Sequence, residues 1–258
     1  MTLDVLFPAS ADEAATLYGD GDGITVLAGG TILLPEIAAG RLVPERAMML
    51  CRSGLDQMRS EGDRVVIGAM TTVAALTAGD DRLLADAAAH VADGEVRRNA
   101  TVGGNICSPP GGDAQRGDLG GVLIALGARV RSTGAGGERT EPVEAFLAGD
   151  RAGRLVLEIE YDRFDRRSGT SALRRRHAHS YAIAGVVACS RADGSDLRIA
   201  VTGVEATAVR CASVEQSRDP ADVLKDVHPV DDAVATAAYR SAVLPVLVRE
   251  ALDTLEHA

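Results

Sequence analysis

Apolar positions along this chain come in short blocks separated by glycine, proline and acidic turns. Phe7-Pro8-Ala9-Ser10 leads into an alanine-rich stretch ending at Tyr18. Ser10, with Glu13 three residues on, fits a capping box, so a helix is expected there. Gly19 to Gly23 form a turn cluster, and Ile24-Thr25-Val26-Leu27 then reads as a short buried strand running into Ala28-Gly29-Gly30-Thr31. A helix from Ile32 to Ala39 is expected next, ended by Gly40. Met48 to Leu50 and Val65 to Ile67 read as strands, and Ala69 to Leu76 and Arg82 to Val91 as helices. Strands and helices roughly alternate, as in a mixed α and β fold.

A second glycine pair, in Thr101-Val102-Gly103-Gly104-Asn105, also reads as a turn after an apolar strand. A loop from Ser108 to Gly117 precedes a helix from Asp118 through Leu126. The segments around Val130 and from Leu155 to Tyr161 read as strands. Arg163, Arg166, Arg167, Arg174, Arg175 and Arg176 then flank Ser168-Gly169-Thr170, which marks the candidate domain boundary. Such a charge run reads first as a solvated linker face and second as a phosphate or partner contact. Tyr181 to Cys189 and Leu197 to Val201 read as paired strands. Two helices are expected to close the chain, near Pro220 to Lys225 and from Asp231 to Glu256.

Length and charge narrow the function classes. The 258 residues suit one large domain or two small ones, and a net charge of −10 argues against a nucleic-acid partner. No apolar run approaches the roughly 18 residues of a membrane span. Met1-Thr2-Leu3-Asp4 lacks a basic start and apolar stretch, so a cytoplasmic chain with reduced thiols is expected. Cys51, Cys107, Cys189 and Cys211 are widely spaced with no C-x-x-C pair, so no metal site is expected on this chain alone. Lys225 is the single lysine beside 26 arginines, which leaves little scope for Schiff-base or P-loop chemistry. Four Tyr and three Phe leave few partners for a stacked planar cofactor.

Neither G-x-G-x-x-G at a strand-to-helix turn nor G-x-x-x-x-G-K-[ST] is present. The two Gly-Gly motifs remain. Either could be a plain tight turn. Taken together, they could grip a pyrophosphate from both sides, because a residue without Cβ lets backbone N–H groups approach an anion. Thr31, Thr101 and Asn105 would add side-chain hydrogen bonds. His177 and His179 would share one face if their segment is extended, but a metal would need a third ligand. His90 and His228 stand alone. Ser108 lies in no nucleophile elbow, and Asp80-Asp81 and Asp231-Asp232 read as helix-start acids.

LAGGTILLP (Leu27 to Pro35), IGAMTT (Ile67 to Thr72), ATVGGNIC (Ala100 to Cys107) and DLGGVLIALGA (Asp118 to Ala128) resemble the FAD-binding medium subunit of the molybdenum hydroxylases. Xanthine dehydrogenase and carbon monoxide dehydrogenase flavoprotein subunits belong to that family. SYAIAGVVA (Ser180 to Ala188) resembles the strand opening the family's C-terminal domain, and Ala237 to Leu252 its final helix. The resemblance implies an α+β fold. A PCMH-type FAD-binding domain would span residues 1–168, with subdomains at about 1–55 and 56–168. A smaller α+β C-terminal domain of antiparallel strands plus helices would span 169–258.

The resemblance also implies a cofactor site. Ala28, Gly29, Gly30 and Thr31, with Ile32 and Leu33, would wrap the FAD pyrophosphate, and Thr101, Gly103, Gly104 and Asn105 would complete the grip. Asp118, with Asp113 as the alternative, would lie near the flavin's ribityl or ring edge. Tyr181 would lie beside the isoalloxazine, with Tyr161 and Phe164 as the other aromatic candidates, and Leu157 would contact the cofactor through its backbone. Two departures stand out: the loop from Asn105 to Asp118 is long, and Ile32 replaces a frequent Asp. The implied function is electron transfer in an oxidoreductase, with no catalytic acid, base or nucleophile on this chain. Electrons would pass from a [2Fe–2S] small subunit through FAD to NAD or oxygen, in a heterohexamer with a molybdopterin-binding large subunit. The alternatives are a stand-alone FAD-dependent oxidase or dehydrogenase and a scaffold subunit that has lost FAD.

Overall fold

The computed structural model describes residues 3–108, 119–175 and 181–258. Among the described residues the chain forms three sheets, each with its own buried cluster. The first comprises β1 (Asp4–Leu6), α1 (Ala11–Tyr18), β2 (Ile24–Leu27), α2 (Leu33–Ala38) and β3 (Arg46–Met49). Its strands are parallel in the order β1-β3-β2, with the helices as crossovers. The expected N-cap is present: Ser10 Oγ accepts the Glu13 N–H at 3.1 Å. Ala14 and Tyr18 on α1 pack with Met48, Leu50 and Leu55.

The second body contains β4 (Met58–Glu61), β5 (Arg64–Gly68), α3 (Val73–Thr77), α4 (Arg82–Ala89), α5 (Gly94–Asn99), α6 (Val102–Ile106), α7 (Leu119–Ala125), β6 (Arg129–Gly134), β7 (Arg139–Pro142), α8 (Val143–Ala148) and β8 (Arg154–Asp162). Its sheet is antiparallel, ordered β4-β5-β8-β6-β7. The helices supply most of the larger core, including Leu76, Leu84, Leu119, Leu123 and Phe146.

Strand β8 joins these two bodies. Arg131 pairs with Glu158 but Ser132 pairs with Val156, so Leu157 is an extra residue in the ladder. Such a bulge resets the alternation of side chains. Leu155 and Leu157 therefore face the first cluster, while Val156, Ile159 and Tyr161 face the second. The carbonyl of Leu157 accepts the Ala69 N–H at 2.9 Å, which pins the loop after β5.

The third body holds β9 (Arg166–Leu173), β10 (Ala184–Arg191), β11 (Arg198–Thr202), β12 (Val209–Arg210), α9 (Ala212–Ser217), α10 (Val223–Asp226) and α11 (Ala237–Glu256). The antiparallel order is β12-β11-β10-β9. Helix α11 lies on β9 so closely that a Cβ at Gly169 would fall 2.0 Å from the Ala251 carbonyl oxygen. Two antiparallel sheets packed with helices, beside one small parallel sheet, make the fold α+β, as the resemblance implied.

Several local expectations change. The helix expected over Ala69 to Leu76 is confined to Val73–Thr77, because the N–H groups of Ala69 and Met70 bond to Leu157 and Leu55 instead of building a helical turn. Strand β10 begins at Ala184, three residues after Tyr181. The last helix begins at Ala237 rather than Asp231. Asp232 accepts the N–H groups of Val234 (2.8 Å) and Ala235 (2.9 Å), which makes a turn, and Thr236 is the cap. The arginine run is no plain linker. Arg166 lies in β9, bonds to Asp81 and stands over the Phe164 ring, and Arg175 donates to the carbonyls of Ala233 and Val234. Arg176, His177 and His179 lie outside the described residues.

Candidate functional site: a glycine-walled cleft

A cavity of ≈ 330 Å³ lies where the first two bodies meet, within the size range of small-molecule sites. One wall is the loop between β2 and α2. Gly30 adopts φ +70°, which L side chains rarely adopt, and Gly29 presses against the second body. A Cβ at Gly29 would fall 1.9 Å from the Asn99 carbonyl oxygen. Among the described residues, the N–H groups of Gly29, Gly30, Thr31, Ile32 and Leu33 meet no acceptor. All five residues line the cavity, as does Ala28. Unengaged consecutive amides at a helix start are what an anionic group requires.

The facing wall behaves differently. Thr101-Val102-Gly103-Gly104-Asn105 is not a turn after a strand. It follows α5, and Thr101 caps α6 by accepting the Gly104 N–H at 3.1 Å. The other amides here are engaged as well: Val102 with Thr71, Gly103 with Ala69 and Asn105 with Thr101, at 2.8–3.0 Å. This second motif therefore supplies shape, not a second set of free donors. A Cβ at Gly103 would lie 2.8 Å from that of Ala69, so only glycine allows the packing. Thr101, Gly103, Gly104 and Asn105 all line the cavity. Asn105 Oδ1 accepts the Leu119 N–H at 3.0 Å, which fixes the start of α7.

Tyr181 also lines the cavity and is partly exposed. Leu157 does not line it. Its bulged carbonyl holds Ala69, while its neighbours Leu155 and Val156 reach the cavity. Tyr161 and Phe164 are elsewhere: the Tyr161 hydroxyl donates to Asp81 at 2.8 Å, and Phe164 is covered by Arg166 and Arg191. Asp118 and Asp113 lie outside the described residues.

Sequence reasoning missed the cleft floor and back wall. Tyr18, Ile24, Val26 and Leu50 come from the first body, and Val91, Ala92, Val96, Cys107, Arg151 and Arg154 from the second. Ala92 takes φ +41°, and Arg97 holds that turn by donating to the Val91 and Ala92 carbonyls at 2.8 Å each. Burial pushes the Cys107 thiol up to about 12 against the charge of Arg151, so it is neutral at ordinary pH. Arg154 is engaged by Ser132, Ala135 and Gly137, and so braces the wall. Only the positive-φ demand at Ala92 carries no residue-type signal; the apolar liners were legible as core positions but not as cavity positions.

The fold and the cleft together define a nucleotide-cofactor-binding α+β protein, with amides for a phosphate and no Cβ in the way. The chain belongs to the family described as the FAD binding domain in molybdopterin dehydrogenase, whose model matches residues 1–160. It is thus an FAD-binding subunit of an oxidoreductase. It is 31% identical to the carbon monoxide dehydrogenase medium chain of Hydrogenophaga pseudoflava, over 95% of this chain and 94% of that one. It is 29% identical to the 6-hydroxypseudooxynicotine dehydrogenase complex subunit alpha of Paenarthrobacter nicotinovorans, over 99% and 95% of the two chains. A solved structure of the Hydrogenophaga pseudoflava carbon monoxide dehydrogenase superposes with a TM-score of 0.88, at 30% identity, covering 100% of this chain and 98% of that one.

Proposed function

We propose that this chain carries FAD as the electron-transfer subunit of a molybdenum-containing hydroxylase or dehydrogenase. When bound, FAD supplies a site that accepts electrons from the [2Fe–2S] clusters of a partner and passes them to NAD or oxygen. The observation that carries the reading is the run of unengaged amides from Gly29 to Leu33 in a glycine-walled cleft. In this reading Ala28, Gly29, Gly30, Thr31, Ile32 and Leu33 bind the pyrophosphate. Thr101, Gly103, Gly104 and Asn105 shape the opposite wall, and Tyr181 lies at the flavin ring. Asp118, or Asp113, would contact the flavin's polar edge. Leu157 acts by holding Ala69, not by touching the cofactor.

The partners proposed are a molybdopterin-binding large subunit and a [2Fe–2S] small subunit, in a heterohexamer. The names of the relatives, a medium chain and a complex subunit, support that assembly. A cytoplasmic location is proposed as well; among the described residues no helix is long and apolar enough to cross a membrane. The FAD-binding part would end at about residue 168, and the change of sheet between Asp162 and Arg166 supports a division a few residues earlier.

Purification from the native host, with mass identification of whatever travels with the chain, tests the reading. A flavin absorption band together with an iron–sulfur and a molybdenum subunit is expected. A flavin-loaded chain that travels alone would favour the stand-alone oxidase or dehydrogenase, and a colourless one would overturn the cofactor assignment.

A further inference from the structure

Tyr18 stands out in the cleft. It is 3% exposed, yet it lines the cavity. Among the described residues its hydroxyl meets no hydrogen-bond partner, and it is absent from the fully buried unpaired atoms, so what little of the residue is open faces the cavity. The Gly19 to Gly23 turn is built around it. The Gly21 N–H donates to the Tyr18 carbonyl at 2.8 Å, and a Cβ at Gly21 would fall 2.5 Å from the phenol oxygen. Gly21 has φ +84°, so the turn accommodates the ring by having no side chain there. Burial raises the phenol's pKa, so the group is a neutral donor. Leu50 and Leu155 pack with it, Ile24 and Val26 lie against the same cluster, and Arg154 and Asp20 are near enough for their charges to act on it.

We propose that the Tyr18 hydroxyl hydrogen-bonds the adenine end of the bound FAD at the closed floor of the cleft. The inference rests on the FAD reading above. With the pyrophosphate at Gly29 to Leu33, the cofactor's two rings extend to different parts of the cavity. The redox-active ring must meet a partner and suits the partly exposed Tyr181. Adenine takes no part in the electron transfer and suits the mainly apolar cluster of Ile24, Val26, Leu50 and Leu155, where the Tyr18 hydroxyl offers a polar contact. A cavity-facing hydroxyl with no partner in the protein also favours FAD over FMN, which has no adenine to reach it.

The test is Tyr18→Phe, which keeps the ring and removes the oxygen. Stripped wild-type and variant chains would be titrated with FAD and with FMN, followed by flavin fluorescence. FAD should bind about five- to tenfold more weakly to the variant, the size of one neutral hydrogen bond. FMN affinity and the visible band of bound FAD should be unchanged. The stripped variant should melt with the stripped wild type, because the oxygen has no partner in the protein. Unchanged FAD affinity, an equal loss for FMN, a shifted flavin band or a lower melting temperature of the stripped variant would each overturn the inference. A wild-type chain that takes up no FAD would overturn the function reading itself.

Discussion

An alanine at position 29 would set its Cβ 1.9 Å from the Asn99 carbonyl oxygen, where two backbones meet and neither end is flexible. Gly29→Ala should therefore push the β2–α2 loop off the second body and abolish FAD retention. The ratio of flavin to protein absorbance after gel filtration checks this, and full loading would disprove the close approach. Gly104 is more forgiving. Its Cβ would lie 3.0 Å from Thr101 Oγ1, so Gly104→Ala should weaken the helix cap before it disturbs the cofactor. At this scale the sequence was legible where a residue type is compelled, as at Gly29, Gly30 and Gly103. It was not legible where the same type serves two ends. Tyr161 and Tyr18 are both buried tyrosines, but one is paired with Asp81 and the other faces the cavity. Only the distant partner Asp81 separates them.

Helix α6 shows how a motif changes meaning once its neighbours are in place. Thr101 to Asn105 carries the same Gly-Gly signal as Ala28 to Thr31, but the Thr101 side chain and the carbonyls of Ala69 and Thr71 take its amides. Thr101→Ala should then cost about 0.5–2 kcal/mol of stability through loss of the cap, and Thr101→Ser little. Urea unfolding of the stripped chains measures both, and equal stability of the alanine variant would rule out the cap. The strand and helix blocks with strong periodicity, Ala11–Tyr18, Ile24–Leu27 and Arg82–Ala89, lie close to where their patterns put them. The displaced starts at Val73 and Ala184 follow hydrogen bonds to Leu157, Leu55 and Leu173, which no short window of sequence contains, whereas the start at Ala237 follows the Asp232 turn, whose acid reads equally well as a helix start. The Leu157 bulge belongs to the same class: register against β6 decides it, and β6 is more than twenty residues away.

Across the whole molecule, two charge clasps, one largely buried and one partly exposed, set the acid limit. Arg240 on α11 is 1% exposed and donates to Asp232 at 2.7 Å and to the carbonyls of Ile183, Val230 and Ala235. Burial opposes ionisation of Asp232, but Arg240 and the N–H groups of Ala235 and Val234 together hold its carboxyl below the usual carboxylate range. Burial likewise opposes ionisation of Glu158, and Arg59 and Arg131 overcome it. Both carboxyls are more acidic folded than unfolded. Their contribution is therefore complete above the unfolded pKa of about 4 and is lost as pH falls through the depressed folded values. Melting temperature should fall steeply with pH below about 4. Arg240→Met leaves the partly buried Asp232 without its cation and the carbonyls of Ile183, Val230 and Ala235 without their donor, and should cost about 3 kcal/mol at neutral pH. The variant should also show a shallower acid dependence in the same melting series.

FAD should act on stability through the same architecture, because the cleft walls come from two bodies with separate cores. Only the folded arrangement brings the Gly29 to Leu33 amides opposite Gly103 and Gly104, so the ligand binds the native state alone. At free FAD a hundredfold above its dissociation constant, mass action adds about 2.7 kcal/mol. For a chain of this length that is a rise of roughly 5–10 °C in melting temperature. Calorimetry of stripped and reconstituted protein, with flavin fluorescence recorded in the same scan, should show the rise and flavin release coinciding with unfolding. The Gly29→Ala protein should show no rise at any FAD concentration. Flavin released well below the unfolding transition, with the melting temperature unmoved, would mean that the cofactor lies on one body and does not bridge the cleft.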